Sequence, residues 1–391
     1  MNIAVFIAVI FLLAVAGVYL LLRMKQMHIW LPGYLARKMR GKPVCSGPVH
    51  VMFCFTDHYE PMWENPDNLD VERYRVDRWF NDYPKLFGHI RDADGCLPKH
   101  TYFYPEEEYR KEHLDKVQSL CAQGFGEIEI HLHHHDDTSE NLRATLERFA
   151  KLLHEQHGSL VRHPETGKPA YGFIHGNWTL DNSHPQGLYC GVNDELIVLR
   201  ETGCYADFTL PSAPSSAQTT TVNSIYYAKD DPNKPKSHDR GVEVEVGGKP
   251  SGDLMIIQGP LALNWQKKKM GFMPRIENGD VKSSMPPSDY RVDKWIEQHI
   301  HVKGRPEWVF VKIHTHGAQE RNMDVLLGDP VVKMYEYLAS RYNDGQNYVM
   351  HFVSSREMYN IVKAAEAGKS GNPNDFRDFV LEKPAVLKGG A

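Results

Sequence analysis

The chain has 391 residues, 41% hydrophobic and 24% charged, with a formal net charge of −5. That balance excludes the basic footprint of a nucleic-acid-binding protein. The six cysteines are scattered without a CxxC pair in a chain long enough to be held by its core, which excludes a disulfide framework and a zinc ribbon.

From residue 3 to residue 22 the sequence reads IAVFIAVIFLLAVAGVYLLL, without a charge. At about 1.5 Å per residue a helix of this stretch covers roughly 30 Å, one hydrocarbon core. A cleaved signal peptide would want a basic start and a small-residue cleavage site, and neither is present. Residues 1–23 are therefore expected to be a single retained transmembrane helix. Arg23, Lys25, Arg37, Lys38, Arg40 and Lys42 all follow the span and no Lys or Arg precedes it. The positive-inside rule favours a cytoplasmic C-terminal domain, with the periplasmic or extracellular side as the other orientation. Residues 24–47, with Trp30 and Tyr34 among basic residues, read as an interfacial linker near anionic headgroups or as a solvated one.

Residues 49–55 (VHVMFCF) are a strand ending at Thr56-Asp57-His58, and apolar spacing predicts a helix over 71–90. HTYFYP is a second strand, and a charged helix follows over 106–123, stopped by Gly124. EIEIHLH alternates as a third strand, after which Asp137 and Glu140 fit a capping box for the next helix. Residues 171–174 form a strand and 193–202 a short helix. Residues 211–250 are a long polar excursion, partly hairpin. LMIIQGPLAL, WVFVKIH and YVMHFVSS are later strands, with helices over 288–300, 330–343 and 356–367. Residues 368–391 read as a flexible tail.

Strand and helix alternate through most of the chain, so the fold class is α/β with a parallel sheet, over a domain spanning 48–367. Polar clusters fall at the C-terminal ends of the strands: Asp57-His58, 131–137, 175–177 and His314 to His316. That edge is where parallel α/β folds build their sites. Histidine is the compositional outlier, with 21 copies, and four of them occupy positions 131, 133, 134 and 135. His131 and His135 have spacing suited to a strand-to-loop turn that folds both rings toward one ion; hydrogen bonding within a polar loop is the plainer reading. Asp137 fits a helix cap, and Asp136 an acceptor for an imidazole N–H. Trp178, Trp265 and Tyr205 could stack on sugar faces or pack in the core.

The order of these motifs resembles the polysaccharide deacetylases, metal-dependent carbohydrate esterases related to chitooligosaccharide deacetylase. FTDH at 55–58 is similar to the family's TFDDG, HTYFYP to its TFF strand, and EIEIH with His135 to its EIGNH followed by a histidine. GCYADFTLP, DLMIIQGPLAL and KIHTH resemble its later motifs. The resemblance covers 49–362 and implies a distorted (β/α) barrel behind the membrane helix. It also implies Asp57 as general base, a divalent metal (Zn²⁺) held by His58, His131 and His135, and His314 or His316 as the acid. Two positions depart from the family. His58 replaces a metal-binding aspartate, and FIHGNW replaces the motif whose arginine orients the base, leaving His175 or Asn177 as partners for Asp57.

The activity so implied is a membrane-anchored hydrolase that removes an acetyl or formyl group from an amino sugar of a polysaccharide or lipid-linked glycan. The alternative is a catalytically silent domain that binds glycan or protein.

Overall fold

The computed structural model describes residues 3–271 and 273–385. Two helices come first, α1 (Ile3–Met24) and α2 (Met27–Met39). Among the described residues no single helix is long and apolar enough to cross a membrane. The stretch from Val9 through α2 passes by length and composition only as a pair bent by 99°. The segment 24–47 is not a free linker. Met27, Trp30 and Tyr34 of α2 are buried against Ala213, Val222, Leu261 and Ala262. Gly33 lies so close to the Thr220 carbonyl that a β-carbon there would sit 2.4 Å from its oxygen. Arg37 adds an ion pair with Glu243 at 2.7 Å.

The body opens with β1 (Val49–His58), α3 (Leu69–Phe87), β2 (His100–Pro105), α4 (Lys111–Ala122), β3 (Gly126–Leu132) and α5 (Ser139–Leu152). It continues with β4 (Val161–Arg162), β5 (Pro169–His175), α6 (Glu195–Thr202), β6 (Cys204–Asp207), β7 (Ile225–Ala228), β8 (Val242–Glu243) and β9 (Leu254–Ile257). After the hairpin β10 (Ala262–Lys269) and β11 (Met273–Glu277) come α7 (Asp289–Ile296), β12 (Trp308–Thr315), α8 (Glu320–Leu326), α9 (Asp329–Arg341), β13 (Tyr348–Phe352) and α10 (Ser355–Glu366).

The main sheet runs β12-β1-β2-β3-β5-β6-β9-β7-β8, with β13 also on β1 and β4 on β5. Its central pairs are parallel. No pairing among the described strands joins the ends of this order into a closed barrel. Apolar residues cover both faces, as a sheet flanked by crossover helices requires. Alternation along β1 sends Val51, Phe53 and Phe55 into the core that holds Trp79 and Tyr102, and Met52 and Cys54 into the core of Phe103, Phe208 and Phe310.

The excursion at 211–250 is built into the sheet: β7 pairs antiparallel with β9 and β8 pairs with β7. The expected flexible tail is docked as far as Leu381, which is fully buried. Asn360 Oδ1 accepts the Leu381 N–H at 2.9 Å, and Asn360 Nδ2 donates to its carbonyl at 2.8 Å. Residues 386–391 of that expected tail lie outside the described residues.

Candidate metal centre

The period of two along a strand decides what reaches the C-terminal edge of the sheet. His58 shares the face of Met52 and Cys54, and Asp57 the opposite face, with Phe53 and Phe55. On β3, His131 shares a face with Glu129, while Ile128, Ile130 and Leu132 enter the other core. On β12, His314 falls on the same face as Phe310. Three expected histidines from three strands are thereby brought to one place. The His58 ring centroid lies 4.8 Å from that of His131 and 6.3 Å from that of His314. His316 approaches from beyond β12, 4.5 Å from His58, and His133 stands 4.5 Å from His131.

At the centre is Glu60, which sequence reasoning missed. It lies two residues beyond His58, the spacing that keeps a strand's face, and that was its signal. Its side chain is 1% exposed. One oxygen, Oε1, faces His131 Nε2 at 3.5 Å and His133 Nε2 at 3.2 Å, while Oε2 is 3.0 Å from His316 Nδ1. His131 Nδ1 donates to the Ile174 carbonyl at 2.7 Å, which fixes the tautomer and leaves a lone pair on Nε2. That atom has no hydrogen-bond partner, and Glu60 Oε1 is buried with the His133 imidazole 3.2 Å away beside it. Two acceptors set face to face in a dry interior call for a cation between them. His58, Glu60 and His131 offer donor atoms that all lie within 4.8 Å of one another. Two imidazoles and one carboxylate fit a zinc-type catalytic set with an open position.

The charges sort the surrounding imidazoles. Burial opposes ionisation of His133, yet hydrogen bonds to Glu107 and Glu60 push it up to about 10. Burial likewise opposes charge on His316, but Glu60 raises it above the usual histidine value. Burial raises the Glu60 carboxyl, and the facing imidazoles, His316 foremost, overcome this to hold it well below the usual range. Burial and the neighbouring His316 and His131 keep His58 neutral. Burial lowers His131, as does His133. Burial also lowers His314 to about 3 against the pull of Asp280. Of the two expected acids, His316 rather than His314 is therefore the one held above the usual histidine value, with His133 also raised in the cleft wall.

The cluster opens into a cleft of about 390 Å³ whose wall includes Trp63, Asn177, Trp178, His133 and His316. Asn177 and Trp178 both have left-handed backbones, φ 55° and 59°, a rare pairing for residues with side chains. Such strain is found where a site over-determines the chain. The Trp178 ring lies 5.9 Å from His316 and 6.1 Å from His58. Trp265 is instead half exposed on β10, and Tyr205 is buried with its hydroxyl on Glu129 at 2.5 Å. A larger cavity, about 720 Å³, lies elsewhere, between α2 and the segment before β12; Arg37, Lys38, Arg40 and Lys42 line it and no member of the cluster does.

Several expected site residues stand apart from the centre. His135 does not join it: β3 ends at Leu132 and the chain turns, so His135 is 50% exposed and its Nδ1 accepts the Tyr189 N–H at 2.9 Å. Asp57 does not line the cleft. Strand alternation sends it to the opposite face, where Oδ2 pairs with His100 Nε2 at 2.7 Å and Oδ1 accepts the Gly317 N–H at 2.5 Å. Its partners are therefore His100 and Gly317, not His175 or Asn177. Asp136 is exposed and supports no imidazole of the cluster. The cap of α5 is Thr138, which accepts from Asn141 N at 3.3 Å, while Asp137 turns toward His134 at 3.1 Å. His175 enters a separate group with His134, Cys190 and Glu195.

Compared with models of known protein families and with curated proteins, the chain matches none.

Proposed function

We propose that the chain is a membrane-anchored, metal-dependent hydrolase that removes an N-acyl group from an amino sugar of a polysaccharide or lipid-linked glycan. A deacetylase-type (β/α) architecture, an anchor in the apolar α1 and a cytoplasmic catalytic face belong to this reading. One observation carries it: the unpartnered lone pair of His131 Nε2 facing the buried Glu60 Oε1 at 3.5 Å beneath an aromatic-walled cleft.

His58, Glu60 and His131 would hold a divalent metal, which supplies polarisation of the acyl carbonyl and of a water when bound. Glu60 Oε2 holds His316 by its Nδ1 and favours the charged form of that ring. The imidazolium is thereby set to donate its proton to the departing amide nitrogen. The neutral His316 left by that donation takes up the proton released by the attacking water, so amide and water become amine and carboxylic acid. Asp57 acts as a positioning residue, because it holds the backbone at Gly317, next to His316. Trp63 and Trp178 offer faces on which a sugar ring can stack.

The other reading, a silent glycan- or protein-binding module, draws on the withdrawal of Asp57 from the cleft. Acetate or formate release from N-acylated amino-sugar polymers by the detergent-purified full chain tests the choice. The hydrolase reading expects release that is lost in His316→Gln with metal retained. Absence of release from the metal-loaded wild type across acetylated and formylated polymers leaves the binding module.

A further inference from the structure

A second donor set lies on the other side of β5 from the centre just described. β5 carries His175 on the face of Tyr171 and Phe173, opposite Ile174, whose carbonyl anchors His131. His175 meets His134 from the loop after β3, Cys190 from the loop before α6, and Glu195, the first residue of α6. The ligand atoms of these four residues all lie within 4.8 Å of one another.

The orientations are those of ligands. His175 is fully buried and its Nδ1 is directed at the Gly176 carbonyl, so the proton sits there and Nε2 bears the lone pair. That Nε2 has no hydrogen-bond partner and points at Glu195 Oε1, 3.5 Å away. His134 presents its own Nε2 to the same oxygen at 3.2 Å, with its Nδ1 backed by the Asp137 carboxylate at 3.1 Å. A carboxylate behind a ligating imidazole is the usual support of a metal site. Cys190 is buried, and its Sγ accepts the Val192 N–H at 3.4 Å and stands 3.4 Å from Glu195 Oε2. An ion pair between His134 and Glu195 accounts for one imidazole. It leaves the lone pair of His175 aimed at a carboxylate with nothing between them, which a cation resolves.

We propose that His134, His175, Cys190 and Glu195 bind a second, structural divalent metal of the zinc class. Four protein ligands of nitrogen, sulfur and oxygen make a closed tetrahedral set with no position left for substrate. The ion staples the loop after β3, the end of β5 and the start of α6. It also sorts the histidine run: His133 turns to the cleft and His134 to the staple.

The test uses the full chain purified in detergent and loaded with zinc alone or cobalt alone. Zinc content is expected at two equivalents per chain, falling to one in His175→Ala and in Cys190→Ala. Only this site contains a thiolate, so the cobalt-loaded wild type is expected to show a thiolate-to-cobalt charge-transfer band, absent in Cys190→Ala and retained in His131→Ala. The wild-type band also decides the matter should the variants fail to fold. Its absence from folded, cobalt-loaded wild type overturns the proposal, as does an unchanged zinc count in folded His175→Ala. A His131→Ala chain that keeps both metals removes the hydrolase centre while the band still supports the staple.

Discussion

Asp57 and His100 are joined side chain to side chain across β1 and β2, Oδ2 to Nε2 at 2.7 Å, both buried. Trp79 and Tyr102 enclose the pair. The remaining Asp57 oxygen holds Gly317 N, and Trp79 donates to the Gly317 carbonyl at 3.0 Å. A β-carbon at Gly317 would sit 1.9 Å from Asp57 Oδ2. The chain after His316 is therefore pinned to β1 by a carboxylate that never reaches the cleft.

Asp57→Ala leaves His100 and the Gly317 N–H buried and unpaired. Removing one partner of a buried pair costs about 3–5 kcal/mol. Thermal or denaturant unfolding is expected to record that loss with metal content unchanged. Loss of metal with stability intact would place Asp57 at the centre instead.

His316 lines the cleft, and Glu60 raises it above the usual histidine value. Loss of a positioned general acid costs about 10²–10⁴-fold in rate. His316→Gln is expected to lower kcat for acyl release within that range and to keep KM and metal content. His314→Gln, a buried neutral ring with its Nδ1 unpartnered, is expected to cost less in rate.

Glu129, two residues before His131 on the same face of β3, gives a pH dependence of its own. Burial pushes its carboxyl from the usual 4.5 up to about 8, against hydrogen bonds from Tyr205 and Gly172. The folded chain thus holds this proton more tightly than the unfolded one. The resulting stability is complete below pH 4.5 and is lost as pH rises through 8. Relative to Glu129→Gln, which cannot titrate, wild-type stability is expected to fall by about 1.4 kcal/mol per pH unit across that window. Parallel unfolding curves at every pH would contradict it.

Trp30 measures the docking of α2. It is fully buried in the small apolar cluster with Ala213, Val222 and Leu261. Trp30→Ala is expected to cost about 3–5 kcal/mol by cavity formation. A free linker would show no change.

Much of this was legible beforehand. The apolar runs at 49–55 and 308–314 and the amphipathic helices between strands appear as β1, β12, α3 to α7, α9 and α10, because period and burial agree there; the short α8 has no such signal. His58, His131, His314 and His316 fall at strand ends in the sequence, and their rings lie close together at one sheet edge. What failed turned on single-residue parity and on loop geometry. Asp57 and His58 are neighbours in sequence and so oppose each other across the sheet. His135 lies past the end of β3, where no periodicity holds and a turn sends it to solvent. The short strands β6 and β8, and the docking of residues 368–381, rest on long-range contacts that local pattern does not encode.

The proposed hydrolase rests on Glu60, in place of His135, completing a metal centre with His58 and His131. Metal content of the zinc-loaded full chain tests it most directly, comparing wild type with Glu60→Ala, His131→Ala and His135→Ala. The first two variants are each expected to lose one equivalent per chain, and His135→Ala none. A full count in folded His131→Ala, or a loss in His135→Ala with none in Glu60→Ala, would contradict it.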